Sequence, residues 1–313
     1  MASVWVISLL SLFFAFASCA PITCPTMEDL NPCSCKRVAY GLHVICANFN
    51  SSSTLLKVFR ILRDYRVNNV LLHGLYITDV LPSNLFEGLQ IKQLRVEKSK
   101  LKFSQLAFTG LDDSLNVLNV AQHSMIKSKE GFSLARLTKL AELNVQSNHL
   151  VKIRDTWLNE KTPNVNTIIL DDNDITEVES FAFSKLPQLK TISMADNRIK
   201  TVKRSMFPRP AQFLFRMDLS HNIIEELPPD FFFEMPSLTE VIFSGNELQT
   251  LPQATWTPVW ENLNQVFLYN NKIVCDKELD WLKRYRQVHQ LEGDCVAPKE
   301  QDGRAIKDVY YNR

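Results

Sequence analysis

Leu140–Leu150 reads LAELNVQSNHL, and 25 residues on Val165–Ile175 reads VNTIILDDNDI. Leu189–Ile199 (LKTISMADNRI), Leu214–Ile224 (LFRMDLSHNII), Leu238–Leu248 (LTEVIFSGNEL) and Leu263–Ile273 (LNQVFLYNNKI) repeat the same template, L-x-x-L-x-L-x-x-N-x-L. Three weaker copies begin at Val67, Ile91 and Leu115, so nine starts fall 24 or 25 residues apart. Self-similarity at a fixed period of this size marks a solenoid of stacked turns. The x-L-x-L-x core has strand period. Its two apolar residues face inward, and template positions 3, 5 and 7 face solvent. The Asn has a different duty. Its carboxamide both donates and accepts, so it can satisfy backbone groups of neighbouring turns that are otherwise orphaned. The Asn ladder comprises Asn148, Asn173, Asn197, Asn222, Asn246 and Asn271. The first three turns carry Leu75, Ser99 and His123 instead, so the ladder is expected to be incomplete at its N-terminal end.

The pattern is similar to the leucine-rich repeat. It implies an α/β repeat solenoid, a horseshoe with a parallel β-sheet on its concave side. A second register supports the first: Phe86, Phe108, Phe132, Trp157, Phe183, Phe207, Phe232 and Trp256 recur 22–26 residues apart on the return path. At that period the rings read as a core spine. Burying each stabilises by ~2–3 kcal/mol, which a solenoid without a central globular core needs. Much of the excess of 19 phenylalanines is accounted for in this way.

The ends of such a stack expose core unless capped. Seven cysteines are present, and none lies between Cys46 and Cys275. Met1–Ala20 has no charged side chain, and Val4–Ala17 suits a signal-peptide apolar region with a cleavage site at Ala17-Ser18-Cys19. The run falls short of the ~20 residues needed to span a bilayer. Removal of residues 1–19 leaves six cysteines, an even number that in an exported chain reads as disulfides. Spacing alone leaves three pairings open among Cys24, Cys33, Cys35 and Cys46. The N-terminal set resembles the cysteine-rich flank of extracellular leucine-rich-repeat proteins, which implies Cys24–Cys35 and Cys33–Cys46. NNKIVCDKELDWL followed by Cys295-Val296-Ala297-Pro298 resembles the C-terminal flank, with Lys277 where a second cysteine is usual. Its late partner is missing too, which leaves Cys275–Cys295. The expected organisation is therefore a signal peptide (1–19), an N-terminal cap (20–66), nine repeats (67–273) and a C-terminal cap with tail (274–313).

More narrowly, PCSCKRVAYGLHVIC and LPSNLFEGLQIKQLRVEKSKL resemble a secreted arthropod leucine-rich-repeat family. That family includes the non-catalytic subunit of the Oplophorus luciferin monooxygenase, a companion to a smaller catalytic chain. The resemblance implies a carrier or stabilising role.

Composition narrows the function further. With 35 Lys+Arg against 34 Asp+Glu, the formal charge is +1, without the basic excess of a nucleic-acid binder. Eight glycines argue against a glycine-loop nucleotide fold. No G-x-S-x-G, H-E-x-x-H or P-loop occurs, the six histidines form no cluster with cysteine, and no cofactor or metal is expected. Asp171 and Asp172 are adjacent rather than opposed across a cleft, so they do not make a glycosidase pair. The expectation is a binding protein without catalysis, secreted and without a membrane span, whose partner is another extracellular protein. The alternative is a matrix or innate-recognition binder of protein or sulfated-glycan ligands.

On the concave face, Ile242, Phe267 and Tyr269 are apolar where solvent is expected, and mark either a partner site or a surface covered by the C-terminal cap. The polar strip around Asn144, Asp171 and Asp218 is the next candidate. Arg198, Lys200, Lys203, Arg204 and Arg209 form a basic run that reads as a solvated loop, a sulfated-glycan contact or a protease target. Asn50-Ser51-Ser52 is the one N-glycosylation sequon.

Overall fold

The computed structural model describes residues 23–104, 106–124 and 133–311. The signal segment 1–19 and Phe132 lie outside these. Among the described residues twelve strands form one sheet. Two come from the N-terminal cap: β1 (Cys33–Val38) and β2 (Gly41–Ala47), paired antiparallel. The nine repeats supply β3 (Val67–His73), β4 (Gln93–Glu97), β5 (Val117–Val120), β6 (Glu142–Asn144), β7 (Thr167–Ile169), β8 (Thr191–Ser193), β9 (Arg216–Asp218), β10 (Glu240–Ile242) and β11 (Gln265–Phe267). The C-terminal cap adds β12 (Gln290–Glu292) in parallel to β11. From β2 onward every pairing is parallel. The sheet thus runs through the repeats and into both caps.

Each repeat buries two residues two places apart, as in Val70 and Leu72 or Ile168 and Leu170, which form one continuous core along the stack. The residue two places after the second of these is left-handed in ten turns, from Asn48 and Gly74 to Gly245 and Asn270. Six of the ten are Gly, Asn or Asp, the residues that tolerate this conformation best. At Gly245 (φ +70°) a Cβ would also sit 2.6 Å from the His221 ring, so both backbone and space demand glycine.

The Asn side chains tie turn to turn. Asn197 accepts from the Ile175 N–H at 3.0 Å and donates to the carbonyls of Leu170, Met194 and Ala195. Asn173, Asn222, Asn246 and Asn271 repeat this pattern of one acceptance and two or three donations. Asn148 donates to Val120, Val145 and Gln146 carbonyls. Near the N-terminus serines do a related job, and the ladder is more complete than the asparagines alone suggest. Ser99 accepts from Leu75 N–H and donates to the Glu97 carbonyl. In the following turn the residue is Ser124, not His123. Its hydroxyl accepts from Ser99 N–H and donates to the Ala121 carbonyl, while His123 is exposed.

On the return path Phe86, Phe108, Phe183, Phe207, Phe232 and Trp256 are buried, whereas Trp157 is half-buried. The row extends beyond the repeats, to Phe59 in helix Ser52–Leu62 at one end and, through Trp260, to Trp281 at the other. Between turns the ring centroids lie 4.9–6.2 Å apart (Phe59–Phe86, Phe86–Phe108, Phe183–Phe207, Phe207–Phe231, Phe232–Trp256).

The caps are stapled by Cys24–Cys35, Cys33–Cys46 and Cys275–Cys295. Around Lys277, hydrogen bonds hold the C-terminal cap together. Asp276 caps the 3-10 segment Lys277–Arg284, Tyr310 donates to the Asp276 carbonyl at 2.8 Å, and Trp281 donates to the Leu251 carbonyl. Burial pushes the Tyr310 and Tyr311 hydroxyls up to about 12.

Candidate functional site

Parallel pairing in register lines up one residue per turn along the middle of the concave face. Leu71, Arg95, Asn119, Asn144, Ile169, Ser193, Asp218, Ile242, Phe267 and Glu292 are consecutive partners. These side chains leave the sheet opposite the core. A flanking row carries Asp171 and Tyr269, each two residues past the end of its strand.

At the C-terminal end, Ile242 and Phe267 are half-buried and Tyr269 is 41% exposed. The cap does not fold over them. It extends the sheet sideways through β12, and Glu292 takes its place beside Phe267. Tyr269 donates from its hydroxyl to Glu292 Oε2 at 2.9 Å, and Lys307 Nζ reaches both Glu292 oxygens at 3.1 Å. The bond to Glu292 raises the Tyr269 pKa, and Lys307 followed by Tyr269 lowers that of Glu292. The ring of Tyr269 is thereby held in place with one side open to solvent.

The polar strip is already committed to internal bonds. Asn144 Oδ1 accepts from Gln146 N–H at 2.9 Å. Asp171 Oδ1 accepts from the Ser193 hydroxyl at 2.6 Å and from Ala195 N–H at 2.9 Å, linking two turns. Burial nevertheless raises its pKa, outweighing those bonds, and the charges of Asp218 and Asp196 add to the effect. Asp218 Oδ1 accepts from the Ser220 N–H and hydroxyl, and Arg216 reaches both Asp218 and Glu240. The apolar C-terminal end is thus the part of the strip with unused surface.

The basic run 198–209 is not a cationic patch. Arg198 pairs with Asp174, Lys200 with Glu225 and Arg209 with Glu234. Arg204 is only 2% exposed, and its guanidinium donates to the carbonyls of Phe207, Pro208, Phe233 and Glu234. Lys203 is exposed and forms no ion pair among the described residues, so it is the one open cation of the run; the buried Arg204 beside it offers a protease nothing to grip, and the paired cations offer little to a sulfate. Two further unpaired cations stand on strands of the sheet. Lys36 on β1 and Arg95 on β4 form no ion pair among the described residues. They flank His43, whose pKa is lowered by burial and then by these two charges. No run in the sequence announces this cluster, because its members stand on three strands.

Asn50 is exposed, immediately before helix Ser52–Leu62; Ser51 caps that helix at Thr54 N–H, and Ser52 donates to Asp79. Among the described residues no group of three or more His, Cys, Asp or Glu is placed to hold a metal ion. None of the helices there is long and apolar enough to cross a membrane.

Residues 163–211 match the family model described as leucine rich repeat. The chain folds as a leucine-rich-repeat solenoid. A chain of the octameric complex of Latrophilin 3, Unc5D and FLRT2, in which FLRT2 is the leucine-rich-repeat component, aligns with a TM-score of 0.58 at 21% identity, covering 81% of this chain and 84% of that one. The TLR13–ssRNA13 complex aligns at TM-score 0.57 and 19% identity, covering 74% of this chain but 32% of the other. An internalin (inlF) from Listeria monocytogenes follows at TM-score 0.52 and 17% identity, covering 83% and 75%. At these identities the likeness is one of fold. In this leucine-rich-repeat solenoid the disulfides sit at the two ends.

Proposed function

We propose that this leucine-rich-repeat protein is a secreted, non-catalytic scaffold that holds another extracellular protein on the C-terminal end of its concave face. The supporting observation is that Ile242, Phe267 and Tyr269 keep apolar surface open after the cap has added its own strand. Aromatic residues on a rigid platform are typical anchors of protein interfaces. The neighbour solved with Latrophilin 3 and Unc5D is itself part of a protein complex, which favours a protein partner. The resemblance to the arthropod family narrows the role to a carrier or stabilising subunit for a smaller catalytic chain. Export agrees with the capped cysteines and with Asn50, exposed in its sequon and proposed to carry a glycan. A nucleic-acid ligand, as in the TLR13 complex, is disfavoured by the +1 balance.

The test is co-purification from native fluid of wild type against the double variant Phe267→Ala, Tyr269→Ala. A stoichiometric partner lost more than tenfold by the double variant, with an unchanged Tm, is the expected result. A variant that is folded and fully binding removes this end of the sheet as the site.

A further inference from the structure

We propose that a groove at the rim of the last turns binds a short neutral oligosaccharide, independently of the protein-partner reading. Phe215, Thr239, Asn264 and His289 each stand one residue before β9, β10, β11 and β12, so they are neighbours on four consecutive turns. With Glu240 and Gln265 they line an open depression of about 480 Å³. Three inter-strand gaps of ~4.8 Å make it ~14 Å long. That is room for two or three linked sugar rings.

The chemistry left open in the groove selects the ligand. Its backbone is already used. Thr239 and Glu240 N–H donate to the Phe215 carbonyl, Asn264 and Gln265 N–H to Thr239, and Gln290 N–H to Asn264. A peptide strand adding here would find no free ladder. Its one charged wall is neutralised, since Glu240 pairs with Arg216, which also reaches Asp218. No unpaired Lys or Arg lines it to hold a sulfate or phosphate.

What remains is an exposed phenyl ring, the His289 imidazole and uncharged amides. Phe215 is 43% exposed. The Asn264 carboxamide makes no hydrogen bond among the described residues. Gln265 Nε2 donates to Gln290 Oε1 at 3.1 Å, leaving the Gln265 oxygen and the Gln290 amide group to a ligand. Hydroxyls that donate and accept in turn match such amides, and the C–H face of a pyranose covers an aromatic ring. An aromatic wall with a few fixed polar groups is the general make-up of a small-ligand site.

The experiment probes the full chain with an array of neutral oligosaccharides. The N-acetylglucosamine trimer, maltotriose and a heparin-derived hexasaccharide are then tested by saturation-transfer NMR. The expected result is retention of at least one neutral oligosaccharide, weakened at least tenfold by Phe215→Ala and at least threefold by Asn264→Ala. Asn264 is exposed and unbonded, so its variant keeps the test valid even if Phe215→Ala folds poorly. Phe267→Ala with Tyr269→Ala leaves sugar binding within twofold, which separates this site from the proposed protein interface. The inference is overturned if no neutral oligosaccharide is retained, if only the heparin fragment binds, or if both groove variants bind like wild type.

Discussion

Replacing Asn197 by Ala removes a side chain that is 7% exposed and serves four backbone groups at once. Their fates differ. The carbonyl of Leu170 keeps Asn173, that of Met194 keeps Asn222, and that of Ala195 keeps the Asp172 N–H. The buried N–H of Ile175 has Asn197 Oδ1 as its acceptor and no other among the described residues. One orphaned donor costs ~1–3 kcal/mol. At ~2 kcal/mol the melting temperature falls by ~3 °C for a chain of 313 residues. Asn197→Asp is worse at neutral pH. It keeps the acceptor for Ile175 but turns its second oxygen, without a proton, toward three carbonyls. That environment raises the folded-state pKa of the new carboxyl above the unfolded ~3.9. Its protonated form is the one the fold tolerates, so the stability is in full below ~pH 4 and is lost as pH rises through the folded pKa. The assay is thermal unfolding by circular dichroism from pH 4 to pH 8, with Lys190→Ala as the exposed control. An Ala variant melting within 1 °C of wild type, or an Asp variant no weaker at pH 7 than at pH 4, refutes the ladder energetics.

The other predictions concern the return path and the cap. Arg204→Met strands the carbonyls of Phe207, Pro208 and Phe233, while that of Glu234 keeps the Ala211 N–H, and is expected to cost ~2–4 kcal/mol in chemical denaturation. Arg204→Lys fails to restore it, because a single ammonium cannot reach all four; full rescue by lysine would overturn this account. Cys275→Ser with Cys295→Ser opens a bridge of sequence separation 20 and is expected to lose ~3 kcal/mol. Peptide mapping without reductant that finds a free thiol at either position in the wild type contradicts the cap.

The sheet and the Asn register were legible because each turn spells them with its own residues. Asn173 lies eight residues after Val165 whatever else the chain does. Features that depend on another turn were not. The gap expected at His123 is filled because the hydroxyl that bonds Ser99 N–H comes from Ser124, one residue further along. Arg204 read as one cation in a run because the carbonyls of Phe233 and Glu234, about 30 residues away, leave no mark near it. Neither the groove of Phe215, Asn264 and His289 nor the grouping of Lys36, His43 and Arg95 forms a motif, since each draws its residues from separate strands. The open surface of Tyr269 also had to be seen in place, because two geometries of the cap fit the same sequence.

The Asn ladder also has a direction. Asn197 takes its acceptance from Ile175 and one donation to Leu170, both in the preceding turn, and Asn222, Asn246 and Asn271 reach backward in the same way. The serine pair does so too, since Ser99 and Ser124 accept from Leu75 and Ser99. Every turn therefore completes the one made before it. A chain leaving the ribosome N-terminus first meets a finished platform at each step, and each new carboxamide latches onto it like a pawl on a ratchet. Peeling from the C-terminus strips the latch from the turn beneath, so loss of the last turn readies the next to go. The stapled C-terminal cap is the stop that keeps this sequence of releases from starting.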